Sequence, residues 1–471
     1  MKRFYAYTVT FILIWAMWYF MCPNYLRMLE GFDFFTTLPD FTDLNLEIPK
    51  PILMYISSFL LQFYSFPLAG AAINALIILL QVIFIDVVVR KIFKDAKGLW
   101  WMAFLIMPFS TSLLTPELTL VRSLICLAIT AGAAGIVSLA MIGRAPFIPL
   151  PGIFRNLWTG LAAAVLLLGI SAYDINEKLR ANGTEEIARM DYLVENKKWD
   201  EILECVSPNI ARQNEYMRKC ALLALIEKGE LAEKAFRYGL CSSNDFNFHK
   251  PETSVLRNFN MRFYSCLGMF NPAIYLAYQQ ASLFLLGMSF DAARSLADTY
   301  IEAEDYTLAK KYVEILSHTS CHRKWVKERQ EKLEAIKDSE PKYVKDPADF
   351  IIGNTMQDVS CMMERQPEDK RYRDIILCGM LADRQGKAFH EAYCDLVAPE
   401  YTDGGKIPSV YQEALIMLLY QTNPEELSRL NIEEDKIADF KDFAKLIGSK
   451  QEGTAKRKYY GTYWEFLYFR R

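Results

Sequence analysis

The stretch LWTGLAAAVLLLGISAYDINEKLRANGTEEIARMDYLVENKKWD, residues 157–200, decides the fold. Its first part, Leu157–Tyr173, is apolar enough to cross a bilayer, which takes about 20 such residues. From Asp174 onward charges recur, and apolar residues fall back to helical spacing. The change predicts an all-α chain: an N-terminal transmembrane helix bundle over residues 1–173, then a tetratricopeptide-like α-solenoid. With 471 residues there is room for two or three domains.

Upstream, Phe4–Met21, Leu68–Val89, Leu99–Leu114 and Leu118–Ile142 also have the composition of spans, giving five. Ile52–Phe66 makes a sixth if it crosses. It is short, flanked by Pro49, Pro51 and Pro67, and carries Ser57, Ser58 and Gln62, so it equally fits a helix lying in the interface. The 30 Phe, 26 Tyr and 8 Trp suit interfacial aromatics. No small-x-small cleavage site follows the first apolar run, which contains Trp15, Trp18 and Tyr19, so it reads as an uncleaved span.

Basic residues set the orientation. Arg90, Lys91, Lys94 and Lys97 follow one span, and Arg144 and Arg155 flank a hairpin before the last. Positive-inside logic predicts both clusters in the cytoplasm and everything after Tyr173 outside; five spans put the N-terminus inside, and a sixth at Ile52–Phe66 would turn it outward. Among polar residues in the spans, Asp86 is expected to pair with Arg90 one turn on, and Arg122 to snorkel. Gly132 and Gly135, among Ala131, Ala133 and Ala134, suggest a face for close helix packing.

Downstream, residues 174–337 read as a helical-repeat region. Leu296, Tyr300 and Ile301 form one stripe; Tyr306, Ala309, Tyr312, Val313 and Leu316 form the next, after a break at Glu304-Asp305. Further copies are read at Met190–Val206, around Trp199, and at Met217–Tyr238, with Gly229-Glu230 at the turn. Residues 338–471 read as a second helical region. It ends in an aromatic tail whose Tyr463 and Trp464 are candidate partner-binding residues, or else cap the domain.

The acidic loop at residues 22–50 holds Glu30, Asp33, Asp40, Asp43 and Glu47. A carboxylate just beyond the first span is where a polytopic glycosyltransferase acting on a lipid-linked donor keeps its base or metal ligand. Glu30 and Asp33 are therefore the catalytic candidates. His318 and His322 stand four apart but lack partner carboxylates in sequence, which favours a solvated helix end over a metal. Cys205, Cys220, Cys241, Cys266, Cys321, Cys361, Cys378 and Cys394 show no CxxC pattern and read as small core residues. No phosphate loop, nucleophile elbow or dinucleotide fingerprint occurs, so no cofactor and no metal is predicted. A net charge of −3 gives no reason to expect nucleic acid.

Taken together, Leu60–Leu80, Ala221–Phe236, Asp305–Trp325, Ile407–Leu415 and Gly461–Trp464 resemble an uncharacterised family of bacterial polytopic inner-membrane proteins. The resemblance implies a membrane-embedded N-terminal half and a helical-repeat C-terminal half, and supplies no catalytic residues. The expected function is a membrane-anchored scaffold or accessory subunit in an envelope assembly. Its partners are the lipid bilayer and a protein or peptide, and its C-terminal region is periplasmic. The alternative is the glycosyltransferase-like enzyme with Glu30 and Asp33, and a transporter ranks third for want of buried charges.

Overall fold

The computed structural model describes residues 2–39, 52–93, 100–114, 119–146, 148, 157–246, 254–283, 288–342, 354–401 and 405–470. Asp40, Asp43, Glu47, Lys94, Lys97 and Arg155 lie outside the described residues. Every regular element among the described residues is helical. The chain divides into two compact units. The first is Met1–Tyr192, Gln280–Ile301 and Tyr306–Ser339; the second is Leu193–Gln279, Glu302–Asp305 and Glu340–Arg471.

The first unit opens with α1 (Lys2–Met21) and α2 (Pro23–Gly31), followed by α3 (Ile52–Leu61), α4 (Pro67–Ile92), α5 (Ile106–Leu113), α6 (Thr119–Ala140) and α7 (Leu157–Ile175). Three helices, α4, α6 and α7, are long and apolar enough to cross a membrane; α1 and α2 make a fourth if counted as one span through their 79° bend. Against the expected five to six spans, three or four helices among the described residues meet that criterion. Ile52–Phe66 is only α3 and a 3-10 turn, stopped by Pro67. Trp100–Leu113 is broken at Leu105 into a 3-10 turn and α5. Pro108 sits in the first turn of α5, where its missing N–H does no harm; no regular helix runs on through it from upstream.

Ile14 and Trp18 of α1, Ala71, Ala75, Ile78 and Val82 of α4, and Leu120 and Leu124 of α6 form one core at helical spacing. Polar bonds fix the directions. Trp15 Nε1 donates to the Leu68 carbonyl at 3.2 Å, while the Tyr7 hydroxyl donates to Asp86, so α1 and α4 are antiparallel. Asp86 also pairs with Arg90 at 3.1 Å, as expected. Gln81 Nε2 reaches the Ser123 carbonyl at 3.1 Å, and Phe93 bridges to Ile148, so α4 and α6 run the same way. The chain between them must return to the other end. Lys178, just past α7, donates to Ser112 in the last turn of α5 at 2.5 Å.

Most large apolar side chains left exposed stand before residue 174; among the described residues beyond it only Ile210, Tyr275, Tyr278, Leu396, Tyr460 and Tyr468 do. That asymmetry is what lipid-facing helices require. Gly132 and Gly135 are part of it. A Cβ on either would meet nothing within 4 Å among the described residues, so these two glycines are not points of close helix packing here, while Ala134 beside them is buried.

One turn recurs along the polar part of the chain. Lys197, Gly229, Gly268, Glu304, Arg384 and Lys450 each stand between two helices with φ of +53° to +68°. The first four follow one another at 32, 39 and 36 residues. After five of them the next N–H bonds back five residues, as in Lys198 to Leu193 at 2.9 Å and Gln385 to Met380 at 2.8 Å. This is the left-handed helix stop that satisfies the orphan carbonyls of one helix and turns the chain into the next. Within the second unit, Glu215–Glu227, Lys370–Ala382 and Ser409–Leu419 are buried on nearly all sides.

Candidate functional site

The two nominated carboxylates lie at the end of α2. Pro23 starts that helix at a position needing no N–H, and the next amides are capped from far along the chain. Glu185 accepts from Asn24 N at 3.0 Å, Tyr25 N at 2.8 Å and Asn24 Nδ2 at 2.7 Å. An anion at a helix N-terminus is favoured by the backbone dipoles, although burial raises the Glu185 pKa overall.

Glu30, in the last turn of α2, is 8% exposed and bonds His322 Nε2. His322 precedes helix Arg323–Ala335, and its ring stacks on Phe290 with centroids 4.1 Å apart. Arg294 lies 5.3 Å from the same Phe290 ring and 2.9 Å from Asp291. The Asp291 carboxylate in turn rests on Gly31, where a Cβ would fall 2.2 Å from its Oδ2. Only glycine admits this approach without moving Asp291.

Asp33 follows on extended backbone. Its carboxylate accepts from Phe34 N at 2.7 Å and Ser58 Oγ at 2.9 Å, and its carbonyl accepts from Phe290 N at 2.8 Å. Burial pushes the Asp33 pKa up to about 6, partly offset by the Phe34 and Ser58 bonds. Four residues on, Thr37 N donates to the His318 carbonyl at 3.1 Å. The segment after α2 is therefore laced to residues 289–322 by side chains and backbone alike.

Glu30, Asp33, Ser58, Gln62, Phe290 and His322 close on a cavity of about 10 Å³. That is space for one water. No sugar fits in that space. The structure thus brings Glu30 and Asp33 together, as a shared site requires, and adds Ser58 and His322. The expected solvated helix end at His322 is corrected: its side chain is 13% exposed and bonded to a carboxylate. His318 is exposed. Tyr463 and Trp464 are 2% and 1% exposed; they form the core of the second unit with Phe236, Phe443 and Phe466.

A different surface is open. Helices Tyr306–Ser317 and Arg323–Ala335 flank a groove of about 590 Å³. Tyr306, Lys310, Val313, Glu314 and Ser317 line one wall; Lys327, Gln330, Glu331, Leu333 and Glu334 line the other. Small-molecule pockets of this size are mostly apolar. This groove is mostly polar: Val313 and Leu333 are buried at its floor, and Tyr306 with charges of both signs forms the rest of the lining.

A family model matches residues 1–178 and, overlapping, 137–470; it is described as a family of unknown function. No curated protein matches the chain, and no solved structure does.

Proposed function

We propose, for a chain that belongs to this family of unknown function (DUF6057), that it is a membrane-anchored helical-repeat protein presenting the groove on Tyr306–Ala335 to a polypeptide partner. The observation that carries this is the contrast between the two sites. The carboxylate pair nominated for catalysis encloses about 10 Å³, whereas the groove offers about 590 Å³ to solvent. A reaction centre needs room for its substrate, and a docking surface needs only to be open. The glycosyltransferase reading requires the Glu30–His322 contact to part, and loses support accordingly.

The recurring turns support a helical-repeat region, since their spacings bracket the 34 residues of a tetratricopeptide unit. Helix directions support the predicted orientation in a bacterial inner membrane. Because α1 and α4 are antiparallel, the Lys2-Arg3 end of α1 lies with Arg90 and Lys91, and the Phe93–Ile148 bridge brings Arg144 to the same end. Three basic clusters at one end favour the cytoplasm there. The contact between Lys178 and Ser112 then favours the opposite, periplasmic face for the chain that follows. On this reading Trp100–Leu113 is the return crossing, short at roughly 24 Å for its mixed 3-10 and α rise.

The test is site-specific photo-crosslinking in intact membranes, with the probe at Lys310 or Lys327 and a control probe at Glu328 (50% side-chain exposure). Binding in the groove gives a discrete adduct from the first two positions only, lost when Glu314→Lys and Glu331→Lys are combined with the probe. Equal patterns from groove and control probes would refute it.

A further inference from the structure

We propose that His390, Cys394 and Glu426 form a zinc site with an open fourth position. All three belong to the second unit. His390 and Cys394 stand one turn apart on helix Gly386–Leu396, so their side chains share a face. Glu426 arrives from the first turn of helix Pro424–Arg429. His390 Nε2 lies 2.8 Å from Glu426 Oε1 and 3.8 Å from Cys394 Sγ, and the three donor atoms all fall within 4.8 Å of one another. Around a tetrahedral Zn²⁺ with bonds of about 2.0–2.3 Å, ligand atoms stand roughly 3.3–3.8 Å apart. The donors are already close to that spacing, and a small rotation about each side chain opens the His390–Glu426 contact around an ion.

The donor set is chemically specific. One imidazole, one thiolate and one carboxylate suit a borderline ion such as Zn²⁺ and not Mg²⁺ or Ca²⁺, which prefer oxygen alone. Thiolate and carboxylate together balance the charge of the ion. Binding releases the Cys394 thiol proton, so affinity rises with pH. A second shell is in place: Asn423 Nδ2 donates to Glu426 Oε2 at 2.8 Å, while Asn423 Oδ1 caps the helix that carries Glu426. Such outer bonds hold a ligating carboxylate in orientation. Cys394 is exposed, so solvent reaches the position that the three side chains leave free. Three protein ligands plus water is the arrangement of zinc sites that exchange a ligand.

The test uses the full chain in detergent, stripped by chelator and titrated with Co²⁺ as a spectroscopic substitute for Zn²⁺. The expected result is a thiolate-to-cobalt charge-transfer band with tetrahedral d–d bands, saturating at one ion per chain and abolished by Zn²⁺. Cys394→Ser removes the charge-transfer band, and His390→Gln and Glu426→Gln each weaken binding about tenfold or more. All three are surface positions, so circular dichroism stays unchanged. No band in the wild type at millimolar Co²⁺ overturns the proposal. So does a band that survives Cys394→Ser, because it then reports another cysteine.

Discussion

Replacing His322 by Ala removes the group that holds Glu30 and the ring stacked on Phe290. Leaving the buried Glu30 carboxyl without its hydrogen-bond partner costs about 1–3 kcal/mol and the lost ring contact about 0.5–1.5 kcal/mol. A total near 3 kcal/mol follows, because both side chains are largely buried, at 13% and 11% exposure, and solvent screens them little. For a unit of some 250 residues each kcal/mol lowers Tm by about 2–4 °C, so the expected drop is roughly 6–12 °C. Glu30→Gln, which keeps shape and an acceptor, costs about 1 kcal/mol. The decisive measurement is the double-mutant cycle, read by thermal unfolding of the chain in detergent. If the two groups hold each other, the double variant is less destabilised than the sum of the singles by at least about 1 kcal/mol. Additivity within about 0.5 kcal/mol refutes the pairing, and with it the account of how the segment after α2 is secured.

Asp33 sets a pH dependence. Its folded pKa is raised to about 6 from 3.8, so its contribution to stability is complete below about pH 4 and lost as pH rises through about 6, by about 3 kcal/mol in all. Asp33→Asn removes that slope; wild-type and variant Tm curves running parallel between pH 4 and 8 would exclude the effect. Gly31→Ala drives a methyl into the Asp291 carboxylate and destabilises by about 1–3 kcal/mol, and adding Asp291→Ala recovers most of the loss, measured by the same melts. Trp464→Ala empties the aromatic core of the second unit and costs about 3–5 kcal/mol; a loss below 1 kcal/mol would place Trp464 on the surface after all.

The helical class and the change of character at Tyr173 are legible because composition and periodicity are local. So is the turn at Glu304-Asp305, where the apolar stripe changes phase. The turns at Arg384 and Lys450 are not, because a helix stop in left-handed backbone normally announces itself with glycine and here uses long polar residues. Fewer helices than expected are long and apolar enough to cross, because hydropathy alone does not show that Trp100–Leu113 changes from 3-10 to α at Leu105 or that Ile52–Phe66 stops at Pro67. Glu30 and Asp33 stood out as acids beside an apolar run, but nothing local to them points to His322 or Ser58. The aromatic tail carried no directional signal: rings that fill a core and rings that meet a partner have the same composition.

The bonds around α2 also order events in time. Glu185 and His322 lie 161 and 292 residues beyond the groups they hold. At about 5–20 residues per second, a ribosome reaches His322 roughly 15–60 s after Glu30 is made. For roughly the first half of that interval, until Glu185 is made, the N-terminus of α2 has no cap, and through all of it Glu30 has no partner. This early segment is therefore among the last to settle: a chain that stalls before Glu185 leaves α2 uncapped, and one that stalls before His322 leaves Glu30 without its partner.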